Sequence, residues 1–166
     1  MKTQIALKTA LDIAFFGSVI AIIGSLLVFP SGILIIPEEI KTGPLSKTLF
    51  YSLYGTAILA PVLFAIGLHF LRTLVKCYTK PKKEQANIPL LLNKSGNFIL
   101  ASSVALIAES LLSFFFQATY QNIVEISINS GAITTLFLLS IGLFFKIQSN
   151  VLQAAIIAQN ENELTI

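Results

Sequence analysis

Apolar residues in this chain fall in four long runs, and charge marks the gaps between them. No charged residue occurs from Ile13 to Pro37. The next uncharged stretch runs from Thr48 to Leu71, bounded by Lys47 and Arg72. A third, from Ser95 to Val124, holds one charge, Glu109, and a fourth runs from Ile126 to Phe145, between Glu125 and Lys146. Each reaches the roughly 20 residues that a membrane-spanning helix needs. Hydrocarbon offers no partner to backbone N–H and C=O groups, so such segments are helices. The pattern predicts a single all-α integral membrane domain over residues 1–166, a four-helix transmembrane bundle with spans near 10–29, 48–71, 96–122 and 126–146.

Two of these helices are expected to run past the membrane. The second keeps a helical pattern from His69 to Tyr78, and Lys80-Pro81 ends it. The fourth, continued from Ile126 to Ala158, would be roughly 50 Å long against a hydrocarbon core of about 30 Å. In that continuation Lys146, Ser149, Asn150, Gln153 and Asn160 form a polar stripe, and Ile147, Val151, Ala154, Ala155 and Ala158 form the other side. Residues 147–166 are therefore expected to be a helical tail resting on the membrane, a loop helix, a second copy or another partner. The first helix is expected to end near Phe29, ahead of Pro30, Gly32 and Pro37. Its apolar run is too long for a signal peptide, and no Ala-x-Ala site follows it.

Composition narrows the class further. Hydrophobic residues make up 55% of the 166 and charged residues 11%. Soluble domains are about one-quarter charged, so this chain lacks the polar surface to face water on all sides. Mean hydropathy is +0.82. One cysteine, Cys77, excludes a disulfide scaffold.

Basic residues set the orientation. The N-terminus carries Lys2 and Lys8, the first loop Lys41 and Lys47, and the tail Lys146. The middle loop carries Arg72, Lys76, Lys80, Lys82, Lys83 and Lys94. With both termini inside, nine basic residues face the cytoplasm and two face away, which satisfies the positive-inside rule. The basic run at Lys80–Glu84 is expected to attract anionic lipid. It is too short for nucleic-acid recognition, and no direct nucleic-acid binding is expected.

Inside lipid, helices associate through small residues and interhelical hydrogen bonds. Gly17, Ala21 and Ser25 form such a stripe in the first span, and Ala101, Ala105, Glu109, Ser113 and Gln117 form one in the third. Ile107, Leu111 and Phe114 lie opposite the latter. Glu109 is the candidate site residue, since a carboxyl near mid-bilayer is costly and is either a proton or cation site or a neutral, hydrogen-bonded pin between helices. Without a cation at its depth it is expected to be neutral. It could then donate a hydrogen bond to the Ala57 carbonyl freed by Pro61, or pair with Thr56, Ser25, Thr134 or Thr135. Glu109, Ser113, Thr56 and Pro61 make up the expected intramembrane polar site.

Catalytic patterns are missing. His69 and Cys77 sit eight residues apart on one helix, about 12 Å in rise, which serves neither a metal cluster nor a nucleophile pair. No Gly-rich phosphate loop occurs. Neither an enzyme nor a cofactor or metal is expected.

The tail carries a resemblance. Val151-Leu-Gln-Ala-Ala-Ile-Ile-Ala-Gln-Asn-Glu-Asn-Glu-Leu-Thr-Ile166 resembles the C-terminus of the bacterial membrane family called domain of unknown function 2975, whose members have four spans and a Glu-Asn-Asp-Leu-Thr-Ile-like ending. Here Glu161, Asn162, Glu163, Leu164, Thr165 and Ile166 match it, with Glu163 in place of aspartate. Leu91–Leu100 is similar to the family's entry into the third span, with Ser95 where an apolar residue is common, while Pro81-Lys-Lys replaces a Phe-Ser/Thr pair. The resemblance implies a bacterial inner-membrane protein. The family's genes often neighbour a small helix-turn-helix regulator, so it also implies a regulatory partner held by Glu161–Ile166. Three functions are therefore in view. The chain could be a regulatory interaction module acting through its cytoplasmic face, a small proton- or cation-coupled transporter using Glu109, or an immunity-type membrane protein using the outer loop Phe29–Lys47. A homo-oligomer is compatible with each.

Overall fold

A computed structural model describes residues 2–28, 44–77, 87–120 and 130–164. They form four helices: α1 (Lys2–Val28), α2 (Pro44–Cys77), α3 (Ile88–Tyr120) and α4 (Ser130–Leu164). No strand occurs among the described residues. All four helices are long and apolar enough to cross a membrane, as the charge-free runs predict. Pro44 opens α2, where its missing N–H would be unpaired in any case. Asn87 precedes α3, and its carbonyl accepts the N–H of Leu91 at 3.1 Å, the first bond of that helix.

Two helices begin well before the expected spans. α1 starts at Lys2 rather than near residue 10, and α3 starts at Ile88 rather than near 96. At their other ends α2 reaches Cys77 and α4 reaches Leu164, in keeping with the expected extensions. The expected start of the fourth span, 126, falls among residues 121–129, outside those described.

Each helix packs antiparallel on the next in chain order. α2 and α3 form the inner pair, with α1 against α2 and α4 against α3. α3 serves two neighbours from adjacent faces. Ser95, Ile99 and Ser102 meet α2 at steps of four and three: Ser95 Oγ donates to the Gly67 carbonyl at 2.9 Å and Ser102 Oγ to the Ala60 carbonyl at 2.8 Å. The next face over, Gly96 and Leu100, meets Gly142 of α4. A Cβ on Gly67 would lie 2.9 Å from Ile99 Cγ1, and a Cβ on Gly142 would lie 2.7 Å from Leu100 Cγ. Such close approach gains dispersion contacts where lipid removes the hydrophobic drive to associate.

The small-residue stripe expected to pack α1 meets α2 only at its end, where the Tyr54 hydroxyl donates to the Ser25 carbonyl at 2.7 Å. Gly17, Ala21 and Ser25 are exposed, and a Cβ on Gly17 would meet nothing within 4 Å. The half-buried face of α1 is instead Leu11, Asp12, Phe15, Ser18, Val19 and Ile22. The α3 stripe holds in part. Ala105 is buried and Glu109 and Ser113 are half-buried, but Ala101 is exposed because the packed faces run through Ser95–Ile99–Ser102 and Gly96–Ser103. The side chain of Gln117 is outside the described residues. Ile107, Leu111 and Phe114 are exposed, as expected of a lipid-facing side.

One hydrophobic cluster joins the ends of three helices. Leu74 and Cys77 of α2 meet Ile88 and Leu92 of α3, with Phe145 and Leu152 of α4 packed against them. The early start of α3 makes this cluster possible.

Candidate functional site

Charge gathers at one end of the bundle. The antiparallel contacts bring Lys8 and Asp12 of α1, Arg72 and Lys76 of α2, Lys94 of α3 and Lys146 of α4 to that basic end. Asp12 and Arg72 form an ion pair. The Arg72 guanidinium also lies 4.9 Å from the Phe15 ring centroid and 5.2 Å from that of Phe16. Both partners are about one-quarter exposed, so the pair joins α1 to α2 in a partly dry setting. Lys94 Nζ stands 5.7 Å from the Phe70 ring.

Beyond this layer α4 continues as helix. Its 35 residues span about 52 Å, of which the 18 after Lys146 account for about 27 Å. The expected polar stripe does not survive as one solvated face. Ser149 is buried against α3 and donates to the Pro89 carbonyl at 2.6 Å. Leu152 and Ile156 follow it on the packed side. Between the start of α3 and this part of α4 lies a groove of about 300 Å³, lined by Pro89, Leu90, Asn93, Ser149, Gln153, Ile156 and Ile157. The Asn93 Oδ1 atom is buried with no hydrogen-bond partner among the described residues. Ile157 is half exposed at the groove edge.

Of the expected tail contacts, Glu161 is an exposed residue of α4. Asn162, Glu163 and Leu164 belong to the same helix, with side chains outside the described residues, and Thr165 and Ile166 lie outside them altogether.

The expected intramembrane site is not drawn together. Glu109 is half-buried and lies seven residues along α3 from Ser102, on the side facing α2. It stands fifteen residues from Lys94, about 22 Å along the axis, which is past the middle of a core of about 30 Å measured from the basic layer. The expected midplane position took the centre of a span of 96–122, about 40 Å long, whereas a core of about 30 Å counted from Lys94 has its middle near residue 104. Pro61 sits at the height of Ser102, about 10 Å from the level of Glu109. There Ser102, not Glu109, supplies the interhelical hydroxyl, and it bonds Ala60 rather than Ala57. Thr56 donates to the carbonyls of Ser52 and Leu53, Ser25 to Ala21 and Thr135 to Gly131, each within its own helix. His69 lies at the basic end against Phe15, ring centroids 6.0 Å apart, far from Glu109. Most of the outer loop expected for an immunity role, residues 29–43, falls outside those described.

Sequence reasoning missed the Asp12–Arg72 pair. The available signal was an acidic residue near the start of the first span and a basic one near the end of the second, which antiparallel packing brings to one depth.

Four antiparallel apolar helices with large exposed hydrophobic side chains define a multi-pass membrane protein in contact with lipid. The chain matches no protein-family model, no curated protein and no solved structure.

Proposed function

We propose that this is a bacterial inner-membrane interaction protein, with the basic end and both termini in the cytoplasm, that acts by holding a cytoplasmic protein at the membrane. The continuation of α4 for about 27 Å past Lys146 carries this reading, because a span alone does not need it. The groove between α3 and α4 supplies a second contact, with Leu90, Ile156 and Ile157 as apolar walls and Asn93 as an unused acceptor. A helix end docking beside such a groove is a common mode of peptide recognition. The resemblance of Glu161–Ile166 to a family encoded beside helix-turn-helix regulators supports a small DNA-binding regulator as the partner.

The test is purification from native membranes of the full chain and of a chain ending at Gln159. A small soluble protein recovered with the full chain alone supports the reading and assigns the contact to the tail. The same recovery from both chains removes the tail from the proposal.

The Glu109 transporter is a second reading, favoured by a half-buried carboxyl within an apolar helix. Ion flux in liposomes that Glu109→Gln abolishes, with no captured partner, would replace the first reading with this one.

A further inference from the structure

The side of α4 turned away from α3 carries a heptad pattern. Ile133, Phe137, Ser140, Phe144, Ile147, Val151, Ala154 and Ala158 follow one another at alternating steps of four and three. All eight are exposed, and Ile133, Phe137, Phe144, Ile147 and Val151 are each more than half exposed. Residues Thr135, Gly142, Phe145, Ser149, Leu152 and Ile156 occupy the opposite side, buried or half-buried. α4 is therefore a two-sided helix with one side used.

We infer that this second side pairs with the same side of another copy, forming a parallel, left-handed two-helix seam about a two-fold axis normal to the membrane. Alternation of four and three is the spacing that keeps one stripe facing a partner helix along its length. Copies inserted in one membrane share an orientation, so identical stripes meet in parallel and in register. The stripe continues beyond the basic layer at Lys146, where lipid tails alone do not account for it. α4 is one uninterrupted helix there, and Ala158 stands about 18 Å past Lys146. With the basic layer at Lys146 as the membrane edge, Ile147, Val151, Ala154 and Ala158 form an exposed apolar row that continues past that layer.

Charge and area fit a second copy. The positions flanking the row, Gln148, Asn150, Ala155 and Ile157, carry no charge, so identical helices do not repel. Glu161 is the next position of the repeat and would face its own copy, so the seam ends at Ala158. The five large side chains of the row offer on the order of 100 Å² each, roughly 500 Å² per copy, and Ser140, Ala154 and Ala158 let the two backbones approach closely. The groove shares only its edge residue Ile157 with the flank of the row, while its other α4 residues, Ser149, Gln153 and Ile156, lie on another side, so this seam does not depend on the proposed cytoplasmic partner.

Disulfide trapping in native membranes tests the seam. Cys77 is buried, so the parent chain is a silent background. Val151→Cys and Ala154→Cys are expected to give a species of twice the 18.0 kDa chain mass on mild oxidation, and Gln153→Cys at least tenfold less. Ala154→Arg is expected to convert the protein in lipid nanodiscs to the single-chain mass with helix content retained. Equal trapping at 151, 153 and 154 would mean random collision and overturn the seam. So would trapping of Ala154→Cys to a different protein without a homodimer, or no trapping at any position.

Discussion

A methyl group on Gly96 would lie 2.9 Å from the carbonyl oxygen of Gly142. The two glycines let the backbones of α3 and α4 touch, and Leu100 closes the gap beside them. Gly142→Val is expected to push α4 away from α3 and cost about 1–3 kcal/mol, the usual range for overpacking. Reversible unfolding in mixed micelles would read it as a lower midpoint. Gly17→Ala, with no atom near the added methyl, is the control and is expected to be neutral or slightly stabilising.

Ser102 and Ala60 are both almost fully buried, and their bond is, among the described residues, one of two buried hydroxyl-to-carbonyl bonds between α2 and α3, with that of Ser95 to Gly67. Ser102→Ala is expected to cost about 0.6 kcal/mol and at most about 1.7, the range for interhelical hydrogen bonds in membranes. Ser102→Val should cost more, because it adds bulk to a position with 1% exposure. The difference between the two substitutions, measured by the same unfolding assay, separates the hydrogen bond from the packing.

The Asp12–Arg72 pair joins α1 to its neighbour, and α1 has no fully buried residue from Ile5 to Leu27. Arg72→Gln leaves the Asp12 carboxylate without its cation at the membrane edge. A double-mutant cycle with Asp12→Asn is expected to show coupling of about 0.5–1.5 kcal/mol, above an open surface pair and below a buried one. Arg72→Lys should recover only part of it, since the planar guanidinium also stacks over Phe15 and Phe16. Leu11 is half-buried beside the pair, so labelling of Leu11→Cys by a membrane-impermeant thiol reagent would report whether α1 has moved.

Glu109→Gln is expected to preserve insertion, helix content and partner recovery. The carboxyl lies about 22 Å from the basic layer, remote from the groove and the tail. Loss of partner recovery on this substitution would tie the intramembrane carboxyl to the basic end, and the proposed division of roles would then be wrong.

Much of the fold was legible along the chain. Charge-free runs bounded by Lys47, Arg72, Glu125 and Lys146 marked the helices, because lipid requires every backbone polar group to be paired within its segment. The helical tail after Lys146 was legible from its period of about 3.6. The candidate site was legible only in part. Glu109 stood out as a lone charge, yet its depth depended on where the basic layer at Lys94 sets the membrane edge, and not on the length of the apolar run.

What the sequence determined by itself was the number of helices, their apolar character and which end is basic. What only the tertiary structure decided was which faces meet. In water, a polar face and an apolar face announce the inside of a helix. In lipid both faces are apolar, so the stripe of Gly17, Ala21 and Ser25 looked ready to pack, while Gly67, Gly96 and Gly142 belonged to no stripe that stood out. The outcome turned on fit between partners: a glycine opposite Ile99, a glycine opposite Leu100, and a hydroxyl within reach of the Ala60 carbonyl. Those matches belong to pairs of residues on different helices, and no single run of residues contains them.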